Sequence, residues 1–136
     1  MKSLVKFLYE SSSNINGFVI LKPEFLKYQE LFEDMLKNNN WNIIQHKKFK
    51  MPLETAKELY KMHKDKDFYS DLCKYMSSDE CICYSLSKDV QDPIKNMDKL
   101  KETVRNKWGK SEMKNAMHSS DSLENVERES KLIFNS

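Results

Sequence analysis

Gly17-Phe18-Val19-Ile20-Leu21, followed at once by Lys22-Pro23, is the stretch on which the fold turns. An uncharged β-type run this short reads as a strand buried on both faces, at the centre of a sheet. Pro23 suits the first turn of a following helix, where its missing N–H costs nothing. Downstream, Tyr28, Leu31, Phe32, Met35 and Leu36 recur at the 3.6-residue period and give that helix one apolar face. Asn38-Asn39-Asn40 stops it.

Working outward, Trp41 to Phe49 reads as a half-exposed strand. Pro52 opens a second helix carrying Leu53, Ala56, Leu59 and Tyr60, and Asp67 caps a short third one carrying Phe68, Tyr69, Leu72, Cys73 and Met76. Glu80 to Leu86 is the next strand. Asp92-Pro93 starts a longer helix, striped by Ile94, Met97, Leu100 and Val104, that ends near Gly109. Met113 to His118 is expected as a last strand. A helix from Asp121 to about Phe134 follows, opened by a capping box of Asp121 and Glu124. The order β-α-β-α-α-β-α-β-α predicts an α+β fold of the ferredoxin-like, split-βαβ kind, with helices covering one face of a four-stranded antiparallel sheet. Residues 1–16 read as an accessory arm and 17–136 as the domain proper.

Composition bounds the rest. The chain has 136 residues, which suits one domain with a real core. A hydrophobic share of 39% with 32% charged residues is ordinary for a globular chain and argues against disorder. A formal net charge of +2 gives no whole-protein argument for nucleic acid or membrane partners, so any useful positive field is local. No stretch approaches the ~20 apolar residues of a membrane span, and the run from Met1 to Leu8 is too short and interrupted for a signal peptide. The expected compartment is the cytoplasm. Cys73, Cys81 and Cys83 lack zinc spacing and an even count, so they read as reduced, packed thiols.

The chemistry concentrates in Asn115-Ala-Met-His118-Ser-Ser120-Asp121-Ser122, which runs into Leu123-Glu-Asn-Val-Glu-Arg-Glu129. A histidine just ahead of a helix start, with a carboxylate further along that helix, is a candidate nucleophile or general base. The free N–H groups of the helix start favour an anion. Together they point to phosphate chemistry rather than metal binding.

These residues, with others in the same order, resemble the nucleoside diphosphate kinase family. Lys22-Pro23 after the first strand is similar to its Lys-Pro-Asp. Tyr60, His63-Lys-Asp-Lys66-Asp-Phe68 and Leu72-Cys-Lys-Tyr-Met76-Ser77 resemble its nucleotide-clamping helical hairpin. Thr103-Val-Arg105 is similar to Thr-Ile-Arg, Asn115 to Ser122 to Asn-x-x-His-Gly-Ser-Asp-Ser, and Glu127-Arg-Glu129 to Glu-x-Glu.

The resemblance implies a phosphotransferase that moves the γ-phosphoryl group from a nucleoside triphosphate, usually ATP, to a nucleoside diphosphate by a ping-pong route through phospho-His118. It assigns Glu129 to orient the imidazole, with Ser120 bracing the pair. Lys22, Arg105 and Lys66 supply charge to the phosphates, Tyr60 donates a hydroxyl, and Thr103 belongs to the same nucleotide-binding set. Asn115 and Lys22 hold the ribose, while Phe68 stacks on the base beside Leu72. Mg²⁺ is expected to arrive on the nucleotide phosphates, with no metal cage in the protein. The expected partners are nucleoside tri- and diphosphates and further copies of the chain, with no membrane and no specific nucleic acid. A generic RNA-binding domain of this fold would need exposed strand aromatics, a pattern absent here.

The sequence departs from the family in places. Ser119 and Glu24 replace a glycine and an aspartate. Glu112 or Met113 falls where an apolar residue often covers the base. Between the Cys81–Leu86 strand and Thr103 the family carries an arginine and a threonine that contact phosphate, and an exposed loop used in subunit packing. Asp92 to Lys101 reads instead as uninterrupted helix, with Lys95 or Lys99 as candidates for the lost charge. A catalytically weakened nucleotide-binding or interaction module is therefore the alternative reading. His46 and His63 read as solvated, and Trp41 and Trp108 as core or subunit-contact residues.

Overall fold

Strand β1 (Gly17–Leu21) lies inside the sheet and is buried at all five positions. The computed structural model describes residues 14–135, so most of the expected N-terminal arm lies outside the described residues. After β1 come α1 (Gln29–Asn38), β2 (Asn42–Lys50), α2 (Leu53–Leu59), α3 (Tyr69–Met76), β3 (Glu80–Ser87), α4 (Pro93–Trp108), β4 (Met117–Ser119) and α5 (Leu123–Phe134). The four strands form one antiparallel sheet in the order β2-β3-β1-β4. This is the ferredoxin-like α+β architecture.

Helices cover both faces of the sheet, not one. Phe18, Ile20, Cys81 and Cys83 pack with residues of α2, α3 and α5. Val19, Leu21, Ile82, Tyr84 and Leu86 pack with Phe32 and Leu36 of α1 and with Met97, Leu100 and Val104 of α4. The reason is in the strands: β1 and most of β3 are apolar at successive positions, so an uncovered face would leave large side chains in water. All three thiols are buried and free. Trp41 is a core residue, 2% exposed. It packs so close to Gly17 that a Cβ there would stand 2.8 Å from the indole Cζ3, which requires glycine at the start of β1. Trp108 stacks on Tyr28 with ring centroids 4.6 Å apart.

Four local expectations are corrected. Pro23 does not open a helix: the Phe25 N–H bonds the Lys22 carbonyl at 3.1 Å, Glu24 turns left-handed with φ 79°, and a 3-10 turn (Leu26–Tyr28) precedes α1. Asp67 makes no cap, because α3 starts one residue later with Phe68 at its N-cap and no side-chain cap bond. β4 is only three residues long, since left-handed Ala116 (φ 82°) breaks the extended run before it. The cap of α5 is Ser122, whose hydroxyl accepts from the Asn125 N–H at 3.1 Å, while the Asp121 carboxylate takes the Asn125 side-chain amide at 2.6 Å. Two adjacent capping residues leave the start ambiguous by one position in the sequence. By contrast, the Asp92 side chain does cap α4, accepting from Lys95 N–H at 3.2 Å. Among the described residues no helix is long and apolar enough to cross a membrane.

Candidate active site

The register of β4 sets the site. His118 pairs with Ile20, so its side chain leaves the sheet on the same face as Phe18 and Ile20, toward α5. There His118 Nε2 lies 2.6 Å from Glu129 Oε1. The Ser120 hydroxyl donates to the same oxygen at 2.9 Å. Glu129 is buried in α5, so its charge is screened little by water. A carboxylate accepts, so Nε2 carries a proton, and in the neutral imidazole Nδ1 is then the nitrogen with the lone pair. The other oxygen, Oε2, lies 3.6 Å from Arg128 Nη2.

His118 forms part of the wall of a cavity of about 650 Å³, between the α2–α3 connection on one side and α4 with the 111–115 segment on the other. Tyr60 meets the imidazole edge-on, with centroids 5.3 Å apart. Its hydroxyl is buried with no partner. Burial first, then the nearby Glu129 charge, push the Tyr60 phenol far above its ordinary range, so it stays a neutral donor. Asn115 gives its amide to the Glu112 carbonyl at 2.7 Å, and its buried Oδ1 likewise has no partner. The Ser119 hydroxyl is a third buried oxygen without a partner, so three residues lining the cavity, on both of its sides, carry polar atoms that a ligand could satisfy.

Cations face the same space. Lys22 is only 4% exposed and donates to the Met113 carbonyl at 3.1 Å. Burial, then the charges of Arg105 and Lys101, pull its amine from 10.5 down to about 7. Arg105 gives Nε and Nη2 to the Met117 carbonyl at 3.3 and 3.1 Å. Burial lowers it as well, though a guanidinium stays charged. Phe68, 47% exposed, lines the mouth with Met62, and Leu72 lies behind them. Such a pocket can hold a flat apolar group at its mouth and an anion at its base.

The structure thus brings Lys22, Tyr60, Phe68, Leu72, Arg105, Asn115, His118 and Glu129 to one cavity, with Ser120 behind the last two. It does not bring Thr103 or Lys66 to the cavity wall. Thr103 is exposed on α4, and its hydroxyl bonds the Lys99 carbonyl at 3.2 Å. Lys66 is exposed on the α2–α3 connection. Lys95 and Lys99 are exposed outside the cavity as well. Lys101 lines it instead. His63, expected in solvent, also lines the cavity, 5.5 Å from the Phe68 ring between centroids. The signal for Lys101 was its place four residues before Arg105, on the same helical face. Among the described residues no group of three or more His, Cys, Asp or Glu could hold a metal ion.

Comparison with known proteins assigns the family. The family model described as nucleoside diphosphate kinase matches residues 16–136. A nucleoside diphosphate kinase of Saccharolobus solfataricus is 31% identical over 86% of this chain and 92% of its own. One from Thermosipho melanesiensis is 34% identical over 86% of each. The crystal structure of the Aquifex aeolicus nucleoside diphosphate kinase superposes with a TM-score of 0.74 at 25% identity, covering 87% of this chain and 93% of that one. The Encephalitozoon cuniculi enzyme shares the fold, with a TM-score of 0.80 at 22% identity over 88% of each chain. The chain belongs to the nucleoside diphosphate kinase family, a family of phosphotransferases.

Proposed function

We propose that this chain transfers the γ-phosphoryl group of a nucleoside triphosphate, ATP in the usual case, to a nucleoside diphosphate through a phosphohistidine at His118. The observation that carries this is the 2.6 Å contact between His118 Nε2 and Glu129, which leaves Nδ1 as the free nucleophile in a cavity that Lys22 and Arg105 also line. Nδ1 attacks the terminal phosphorus, an N–P bond forms, the bond to the bridging oxygen breaks, and the nucleoside diphosphate leaves. A terminal oxygen of the second diphosphate then attacks the phosphohistidine, the N–P bond breaks, and the imidazole is restored. Glu129 holds the Nε2 proton throughout and balances the positive charge that the ring gains.

Phosphoryl transfer passes through a loose transition state, so positioning and charge carry most of the catalysis. Arg105 and Lys22 exchange backbone carbonyls for phosphate oxygens as the nucleotide binds. The Tyr60 hydroxyl gains the partner it lacks, and Asn115 Oδ1 accepts from the ribose beside Lys22. Phe68 stacks on the base, a contact every base can make, with Leu72 behind it. Lys66, on the same connection, swings in to the phosphates. Mg²⁺ suits this cavity as an ion held mainly by the phosphates, with Glu112 and Asp121 the exposed carboxylates on the wall, and it would neutralise charge there. β2 ends the sheet order, and its outer edge is the surface through which copies of the chain would associate. The cytoplasm, where nucleotide pools lie, is the compartment that fits.

Incubation with γ-labelled ATP is expected to give an acid-labile, alkali-stable phosphoprotein that discharges to GDP, and none in His118→Ala. Nucleotide binding without labelling of the wild-type chain would favour the weakened-module reading, for which the continuous helix α4 is the supporting observation.

A further inference from the structure

Only residues 88–92 separate β3 from α4, so the chain passes directly into the helix and α4 itself becomes a wall of the cavity. Leu100 and Val104 of α4 are buried against the sheet, which turns Lys101 and Arg105, one helical turn apart, toward the cavity. The Lys101 amine stands 3.4 Å from Asp98 Oδ1, with the lysine side chain 20% exposed and the aspartate 54%. Lys22, Lys101 and Arg105 therefore bring three basic side chains to one space. The nearest buried carboxylate, Glu129, is committed to His118 and Ser120. Like charges gathered in a partly dry cavity repel unless an anion joins them. The mutual field is visible in Lys22, whose amine Arg105 and Lys101 both depress after burial. The buried Tyr60 hydroxyl across the cavity, which has no partner, is an independent sign of a missing acceptor.

We propose that Lys101 is a direct ligand of the nucleotide's polyphosphate chain, parked on Asp98 until the nucleotide arrives. This rests on the reading of the cavity as a nucleotide site. Binding exchanges one carboxylate oxygen for a phosphate oxygen. The exposed ion pair with Asp98 is weak enough to yield, whereas a charge-assisted bond to phosphate in the cavity is stronger. Lys101 thereby restores, from the helix itself, a cation on the phosphate side of the site.

The test is calorimetric titration of the full chain with adenosine, ADP and a non-hydrolysable ATP analogue, the nucleotides in the presence of Mg²⁺. Lys101→Met is expected to weaken ADP and the triphosphate analogue about tenfold, the loss of one charge-assisted bond, and to leave adenosine unchanged. Lys99→Ala, on the exposed side of the same helix, is expected to bind as the wild type. Asp98→Asn frees the amine without touching the ligand and is expected to tighten ADP about threefold. Unchanged polyphosphate affinity in Lys101→Met, or an equal loss for adenosine, would overturn the assignment while leaving the kinase reading standing. If Lys101→Met does not fold, Asp98→Asn decides, and no tightening overturns the proposal. Failure of the wild type to bind any nucleotide would overturn both.

Discussion

Arg128 Nη2 stands 3.6 Å from Glu129 Oε2, the carboxylate oxygen that His118 does not use. The same guanidinium gives Nη1 to the Glu58 carbonyl at 3.1 Å and Nη2 to the Leu59 carbonyl at 3.2 Å, at the C-terminal end of α2. One side chain thus ties the carboxylate behind the imidazole to the helix end that presents Tyr60. Arg128→Ala is expected to lower the rate of His118 phosphorylation about tenfold, with about 1–2 kcal/mol of stability lost from the uncapped carbonyls. Rapid-quench labelling together with urea unfolding measures both. An unchanged labelling rate would show that Arg128 merely caps the helix.

Glu129→Gln keeps a side chain of the same shape but removes the negative charge beside the imidazole. Nucleotide affinity is expected to stay within about twofold, while the phosphorylation rate falls by about two orders of magnitude, on the scale of losing one electrostatic stabiliser. Ser120→Ala removes one of the two bonds to Oε1 and is expected to cost less, about tenfold. Pre-steady-state labelling at saturating ATP separates the two effects, and a larger loss in Ser120→Ala would reverse their proposed order.

Lys22 links pH to both folding and binding. Its folded value of about 7 lies below the ordinary 10.5, so between those limits the unfolded chain binds more protons than the folded one. Stability therefore rises with pH across that window, and the cost of the buried charged amine is fully present only below about 7. Urea unfolding of wild type and Lys22→Met between pH 6.5 and 9.5 is expected to show the wild type gaining relative to the variant as pH rises. ADP, by adding negative charge beside the amine, is expected to draw a proton onto Lys22 at pH 8. Calorimetry in buffers of different ionisation enthalpy reads that uptake, and its persistence in Lys22→Met would exclude Lys22 as the source.

Tyr60→Phe separates folding from binding with one oxygen. The hydroxyl is buried without a partner, so its removal is expected to stabilise the free protein by about 1 kcal/mol. The same change is expected to weaken the triphosphate severalfold, because the phosphate loses a donor. Thermal unfolding and titration on one preparation give both numbers. Loss of stability would mean that the hydroxyl already has a partner in solution.

The helical stripes, the buried strand Gly17–Leu21 and the spacing from Asn115 to Glu129 were legible because each is a local property. Period, propensity and distance along the chain are written in adjacent residues. The errors fell where two local rules compete. Pro23 can begin a helix or a turn, and contacts from Tyr75, whose hydroxyl bonds the Pro23 carbonyl at 2.6 Å, accompany the turn. Asp121 and Ser122 can each cap α5, and in the structure Ser122 does so.

By itself, then, the sequence determined which elements form, in what order, and that a histidine and a glutamate of one motif belong to one site. Tertiary structure alone decided which cations reach the cavity and which stay outside. The phase of α4 is set by Leu100 and Val104 against the sheet, and that phase turns Lys101 inward and Thr103 out. His63 joins the cavity for a similar reason, because the α2–α3 connection folds back over Tyr60. Helix rotation and chain reversal are fixed by contacts between residues far apart in the chain, and no local pattern encodes them.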